Sequence, residues 1–550
     1  MYPKKELAQL VISACYQFNI DTVVISPGSR NAPLTIGFSN HPSIKALSVV
    51  DERCAAFFAM GIAQQKRKPV AIICSSGSAL LNYYPAIAEA FYSNIPLVVI
   101  SADRPKYLID IGDGQTIRQE NVFENHILFS ANLIEEENQL ENNAELLAEA
   151  LQIAITKKGP VHINVPFNEP LYETVADLKE FNFSNVIADE VKQSVNYQKL
   201  SEIWNASTKK MILVGSNFPD AELQNILNRF VEDESVLILT ETTSNLYNPK
   251  FINSIDKLIF PLTETDFLEL QPDLLVTLGG MVISKKIKQF LRKHQPKQHW
   301  HIDELIAMDT YHCLSEFIQK KPVDFLQKIE SQTNIIKSNY QKDWLVVNKD
   351  RSSKHDHYLV DCEYSDLKSF ETVLKFIPDN SQVQISNSSI IRYSQLFDLN
   401  ATFQVFCNRG TSGIDGSTST AIGAAFADEK PTTFVTGDLS FFYDSNGLWN
   451  TNIPKNFRII ILNNAGGGIF RFIPGPLTTN AATYFETPHS LTAEHLAKMY
   501  GFNYTAVANL EELNIGLNDF YETSNQPKIM EIFTPKEIND VVLKNYFKNL

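Results

Sequence analysis

Two segments in the last third of the sequence carry side chains that suit a hard cation. TTFVTGDLSFFYDSNGLWN (432–450) and RIIILNNAGGGIF (458–470) each open as an apolar, β-branched run, then break into a polar or glycine-rich turn. In a parallel α/β sheet, ligands bind at the carboxyl ends of the strands. Asp438 and Asn464 would stand at that edge on two strands. A carboxylate, an amide oxygen and a backbone carbonyl from the glycine run, at Gly466, make an incomplete shell of hard oxygens. Such a shell leaves positions open for phosphate oxygens around Mg²⁺. Alone, an Asp heading a helix is more often a cap, and a glycine run is often a plain loop. Behind two strands together, they favour a metal–diphosphate site.

A third segment raises a question of charge. In TVVISPGSRNAPL (22–34) a strand runs from Thr22 to Ser26, stops at Pro-Gly and places Ser29 and Arg30 at its mouth. The chain is otherwise acidic, with 48 Lys and Arg against 63 Asp and Glu and a formal net charge of −15. An anionic small substrate must then be held by a local cationic cluster working against the global field. The same balance argues against sequence-independent nucleic-acid binding, which needs a basic face.

Short β-branched runs that alternate with helical patterns must position these residues. They are TVVIS, ALSVV, VAIIC, PLVVI and VHINV in the first third, MILVG, VLILT and LLVTL in the middle, and VQIS, FQVF, TTFVT, RIIIL and KIMEI in the last. Runs that are apolar on both faces suit parallel strands buried under helices, so the fold class is α/β with mostly parallel sheets flanked by helices. Breaks are expected in the acidic stretch near 172–195 and at NKDRSSKHDH (348–357), read as an exposed linker. The units become 1–180, 190–345 and 360–550, each of ordinary domain size. Six cysteines without C-x-x-C spacing read as reduced thiols rather than metal ligands or disulfides. The start MYPKKELAQL has no apolar signal core, and no apolar run approaches the roughly 18 residues of a membrane span. A cytoplasmic protein is expected.

The motifs resemble those of the thiamine-diphosphate-dependent enzymes, whose signature is G-D followed at this kind of distance by N-N. This sequence has GDL rather than the commoner GDG, and Ala465 after the Asn pair. Neither change removes a ligand. SVVDERCAAFFAMGIA (48–63) is similar to the family's segment with the cofactor-activating glutamate, which falls on Glu52. SSGSALLNYYPAIAEA (75–90) is similar to the loop and helix beside the cofactor's pyrimidine, and GPVHINVP (159–166) to the strand closing the pyrimidine domain. The resemblance implies thiamine diphosphate with Mg²⁺ (Mn²⁺ as a second choice), a first domain for the pyrimidine and a third for the diphosphate and metal. It assigns Glu52, Gly77, Asn387, Ser388, Ile414, Asp438, Ser440, Asn464, Gly466, Ile469 and Phe470 to the cofactor. Of these, Asp438, Asn464 and Gly466 hold the metal, and Ile414 is an apolar wedge behind the bent cofactor.

SPGSR, ADRP (102–105), QTIRQ (115–119), SNSSIIR (386–392), NRGTSGIDG (408–416) and, in the middle, GGMVISKKIKQFL (279–291) narrow the resemblance to a menaquinone-pathway branch that joins 2-oxoglutarate to isochorismate. Both substrates carry two carboxylates, and charge-assisted Arg–carboxylate pairs are among the stronger contacts available. The resemblance assigns Arg392 and Arg409, with Ser388 nearby, to 2-oxoglutarate. It assigns Ser29, Arg30, Arg104, Gln115 and Lys285 to isochorismate, with Lys286 a weaker candidate. Glu52 and Arg30 are the catalytic residues; no histidine receives a role. A homodimer or dimer of dimers, with sites at the subunit interface, is implied. Another thiamine-diphosphate-dependent 2-oxoacid decarboxylase or carboligase would leave these arginines unexplained. A flavin-type middle domain lacks its G-x-G-x-x-G between 200 and 340. A catalytically silent relative is disfavoured by intact Glu52, Asp438 and Asn464.

Overall fold

The computed structural model describes residues 1–183, 194–473 and 475–550. Three six-stranded parallel sheets follow one another along the chain. The expected break near 172–195 lies partly outside the described residues. The first sheet runs Lys45–Ser48, Thr22–Ile25, Val70–Cys74, Leu97–Asp103, Val161–Pro166, Ser130–Asn132. The central one runs Phe251–Ile252, Val236–Leu239, Lys210–Val214, Leu274–Leu278, Gln298–Ile302, Glu316–Ile318. The last runs Gln404–Phe406, Gln382–Ile385, Thr432–Gly437, Phe457–Asn463, Lys528–Phe533, Asn503–Val507.

Every apolar run expected as a strand forms one. Those missed are mostly at sheet edges, where one flank faces water and the apolar signal weakens. Gln298–Ile302 is one place in from an edge, and its sequence QHWHI hides its burial behind two histidines. One nitrogen of each ring meets Thr277, whose hydroxyl lies 2.9 Å from His299 Nε2 and 2.9 Å from His301 Nδ1.

Numbered in chain order, the strands of both outer sheets lie in the order 2-1-3-4-6-5, whereas the central sheet has the dinucleotide-fold order 3-2-1-4-5-6. The outer units are therefore topological equivalents. In each, the order reverses between its first and third strands, which is where a crevice opens at the carboxyl edge. The helix after the second strand, Glu52–Lys66 in one unit and Ser417–Ala427 in the other, packs against its counterpart. One apolar core, including Phe57, Phe58, Ala421, Ile422, Phe434 and Ile459, spans both units.

One expectation is corrected here. Residues 348–357 are not a linker but part of the helix Tyr340–Val360. His355 is buried there, its Nδ1 2.8 Å from the Tyr546 hydroxyl. The helix buries few side chains, so its charged sequence resembles an exposed connection. All six cysteines are free thiols, and four are buried. No described helix is long and apolar enough to cross a membrane.

Candidate active site

Asp438 follows the third strand of the last sheet and heads the helix Asp438–Tyr443. Its Oδ1 accepts from Leu439 N at 2.7 Å and its Oδ2 from Gly466 N at 2.9 Å. Burial pushes this carboxyl up to about 6. Asn464 follows the neighbouring strand, and its Nδ2 donates to Asp366 Oδ2 at 2.7 Å. That bond aims the amide. Asn464 Oδ1 is buried and has no partner among the described residues. The turn that joins the two ligand candidates needs Gly466, at φ 142°, where a Cβ would lie 2.4 Å from the Glu486 carbonyl. A buried carboxylate and an orphaned amide oxygen are donors that a hard cation satisfies. Among the described residues no three His, Cys, Asp or Glu side chains form a metal cluster, so a cation here would also need backbone and phosphate oxygens.

Two further cofactor candidates meet beside it. Ser440 Oγ donates to the Ile414 carbonyl at 2.8 Å, tying the Asp438 helix to the loop that carries the wedge residue. Ile469 and Phe470 begin the short helix Ile469–Phe472 just past the glycine run and are partly exposed. Ser388 holds φ 71° at the end of the first strand, an uncommon backbone for a serine. Asn387 Nδ2 donates to the carbonyls of Asn408 and Gly413, so this amide shapes the loop around Ile414.

In the first unit, Glu52 opens the helix Glu52–Lys66, with Asp51 as its cap accepting from Cys54 N. Its carboxylate is half-buried and bonds to no other side chain among the described residues. Burial and then Asp51 raise its pKa, which favours a proton-bearing carboxyl. The residues around it are anchored in the third unit: Arg53 donates to the Tyr443 carbonyl at 2.9 Å, and Asn446 donates to Asp51 at 2.9 Å. Gly77 sits at φ 86° and donates its N–H to Gln119 Oε1 at 2.9 Å. Gln115 bonds reciprocally with Ser76, its Nε2 donating to the Ser76 carbonyl at 3.2 Å.

The cations fall into two groups. Arg30 is buried, donating from Nη1 to the Phe167 carbonyl at 2.9 Å and pairing with Glu169 at 3.0 Å. Burial and the neighbouring Arg104 guanidinium lower its pKa. Ser29 beside it is exposed. Arg409 donates to Asn387 Oδ1 at 2.6 Å. Burial lowers the Arg392 pKa, Asp256 opposes this, and Arg409 adds to it. Arg30, Arg104, Arg392 and Arg409 each keep a buried Nε without a hydrogen-bond partner among the described residues. Buried donors in that state need acceptors. Lys285 is exposed at the start of the helix Lys285–Lys293. Lys286 lies over the Phe260 ring, 4.6 Å from its centroid.

Three family models match the chain. The N-terminal thiamine pyrophosphate-binding domain of thiamine pyrophosphate enzymes matches residues 5–128, their middle domain 182–385 and their C-terminal thiamine pyrophosphate-binding domain 388–532. The chain belongs to the thiamine-diphosphate-dependent enzyme family. Among its relatives are 2-succinyl-5-enolpyruvyl-6-hydroxy-3-cyclohexene-1-carboxylate synthases. That of Flavobacterium johnsoniae is 54% identical, with all of both chains covered. That of Christiangramia forsetii is 50% identical over 99% of each chain. That of Bacteroides thetaiotaomicron is 38% identical over 100% of this chain and 99% of its own.

Several residues of this family member were invisible to sequence reasoning. His489 Nε2 lies 3.3 Å from Asp438 Oδ2. Glu241 is buried and accepts from Ile283 N at 2.6 Å and Ser284 N at 2.7 Å, fixing the turn before Lys285. Lys288 is partly buried, donates from Nζ to the Val282 carbonyl at 2.8 Å, and has its pKa lowered by burial. None has a motif of its own. The one available signal was Lys288, three positions after Lys285 and so on the same helix face.

Proposed function

We propose that the chain decarboxylates 2-oxoglutarate and joins the resulting succinyl unit to isochorismate by conjugate addition. The product is 2-succinyl-5-enolpyruvyl-6-hydroxy-3-cyclohexene-1-carboxylate, an intermediate of menaquinone biosynthesis. The reading includes thiamine diphosphate, Mg²⁺ or Mn²⁺, and a cytoplasmic homodimer or dimer of dimers. It is supported by full-length similarity to synthases of that product. The structural observation that carries it is two neighbouring pairs of arginines, Arg30 with Arg104 and Arg392 with Arg409, each residue keeping a buried Nε without a partner among the described residues. Two dicarboxylate substrates call for such a set.

Asp438, Asn464 and the Gly466 carbonyl would hold the cation and, through it, the diphosphate. Gly77, Asn387, Ser388, Ser440, Ile469 and Phe470 would line the rest of the cofactor, with Ile414 as the apolar support. When bound, thiamine diphosphate supplies the electron sink that a 2-oxoacid needs in order to lose carbon dioxide. Glu52, its pKa raised by burial, would present a proton to the cofactor's pyrimidine ring. Arg392 and Arg409 would orient the carboxylates of 2-oxoglutarate, with Ser388 beside them. Arg30, Arg104, Ser29, Gln115 and Lys285 would orient isochorismate, with Arg30 also in a catalytic role.

The test is incubation with thiamine diphosphate, Mg²⁺ and both substrates, with the product identified by mass. Carbon dioxide release without the coupled product would point to a plain decarboxylase. No thiamine-dependent release would end the reading.

A further inference from the structure

We infer that Glu89, a residue of the first unit, is the positioning residue for Arg409 in the third. The inference deepens the proposed function and rests on its reading of Arg409 as a 2-oxoglutarate grip.

Glu89 lies on the helix Tyr84–Tyr92 and is 2% exposed. Its Oε1 accepts from Gly410 N at 2.6 Å and from Ser93 Oγ at 2.9 Å. Its Oε2 accepts from Thr411 N at 2.6 Å and from Thr411 Oγ1 at 2.8 Å. Three of the four donors belong to the two residues directly after Arg409. The approach is too close for a side chain at position 410, where a Cβ would lie 2.5 Å from the Glu89 carbonyl.

Burying a carboxylate is costly unless its lone pairs are satisfied, and charge-assisted bonds to backbone N–H groups are strong and directional. Glu89 therefore fixes the backbone from which the Arg409 side chain leaves. Among the described residues the guanidinium has one side-chain partner, Asn387, and none at its Nε. Its aim depends on where that backbone stands. A small shift of a substrate-holding group is enough to cost much of its grip. Glu89 acts through Arg409 and touches no substrate itself.

Steady-state kinetics of the full chain with thiamine diphosphate and Mg²⁺ test this. Glu89→Gln keeps the shape but turns an NH₂ toward donors. It should raise the KM for 2-oxoglutarate at least tenfold, with the KM for isochorismate within twofold of wild type. Thr411→Val removes a single donor and should give a selective rise of about threefold. An unchanged 2-oxoglutarate KM in Glu89→Gln, or equal rises for both substrates, overturns the proposal. If Glu89→Gln does not fold, Thr411→Val decides: a selective rise supports it and an unchanged KM overturns it. Arg409→Ala separates the two levels. If it leaves the 2-oxoglutarate KM unchanged, the underlying grip reading fails. If it raises that KM while both clamp variants behave as wild type, only the role of Glu89 fails.

Discussion

Gly61 and Gly423 lie at the crossing of two equivalent helices, each against the other's backbone. A Cβ on Gly61 would stand 2.1 Å from the Thr420 carbonyl oxygen, and one on Gly423 would stand 2.0 Å from that of Phe58. Backbone cannot move aside as a flexible side chain can, so the helices would have to separate. Gly61→Ala should destabilise the chain by about 1–3 kcal/mol, the usual cost of overpacking. It should also disturb Glu52, which opens the same helix. A denaturant midpoint equal to wild type would show that the crossing tolerates a methyl group.

Asp438→Ala should abolish Mg²⁺-dependent binding of thiamine diphosphate while leaving the fold intact. The residue lies at a strand end, and its burial already disfavours the charged carboxylate. Calorimetric titration checks this, and unchanged cofactor affinity would refute the ligand assignment.

Arg392→Ala should weaken use of 2-oxoglutarate, and Arg30→Ala mainly that of isochorismate. Removing one partner of a desolvated charge pair costs about 2–5 kcal/mol, so each effect should exceed tenfold in kcat/KM. Swapped effects, or both below threefold, would reverse or remove the assignment.

Glu241 makes stability depend on pH. Burial raises its pKa from 4.5 to about 7 in the folded chain. Between those values the folded state holds a proton that the unfolded state has released, so stability falls as pH rises through this window. Full loss of that contribution is about 3 kcal/mol at 1.36 kcal/mol per pKa unit. Glu241→Gln cannot ionise and should flatten the decline. Unfolding free energies of both proteins at pH 5 and pH 8 give the comparison, and equal slopes would count against it.

Glu52→Gln and Asp438→Ala homodimers should each be inactive if every site draws Glu52 from one subunit and Asp438 from the other. A heterodimer of the two variants then carries one doubly damaged site and one intact site. Activity should return toward half the wild-type value. Heterodimers purified through two different tags, and no more active than either parent, would exclude the shared site.

The α/β class and most strands could be read directly, because strands buried on both faces must be apolar throughout. The candidate ligands Asp438 and Asn464, and Arg30, were legible for a related reason: each follows such a run at its carboxyl end. Resemblance to known motifs supplied Glu52 and the other arginines proposed to hold the substrates. The helix through 348–357 was not legible, since its charged surface hides the few contacts that bury His355. Nor were Glu89, Glu241 and His489. Each matters through a partner distant in sequence: Glu89 through Gly410 and Thr411, Glu241 through Ile283 and Ser284, His489 through Asp438. Local sequence determines which segments become strands and what stands at their ends, because periodicity and turn chemistry act over a few residues. Which carboxylate meets which backbone N–H is decided by tertiary packing, within the central unit for Glu241 and between the outer units, which cross closely at Gly61 and Gly423, for Glu89, and no short-range pattern encodes that.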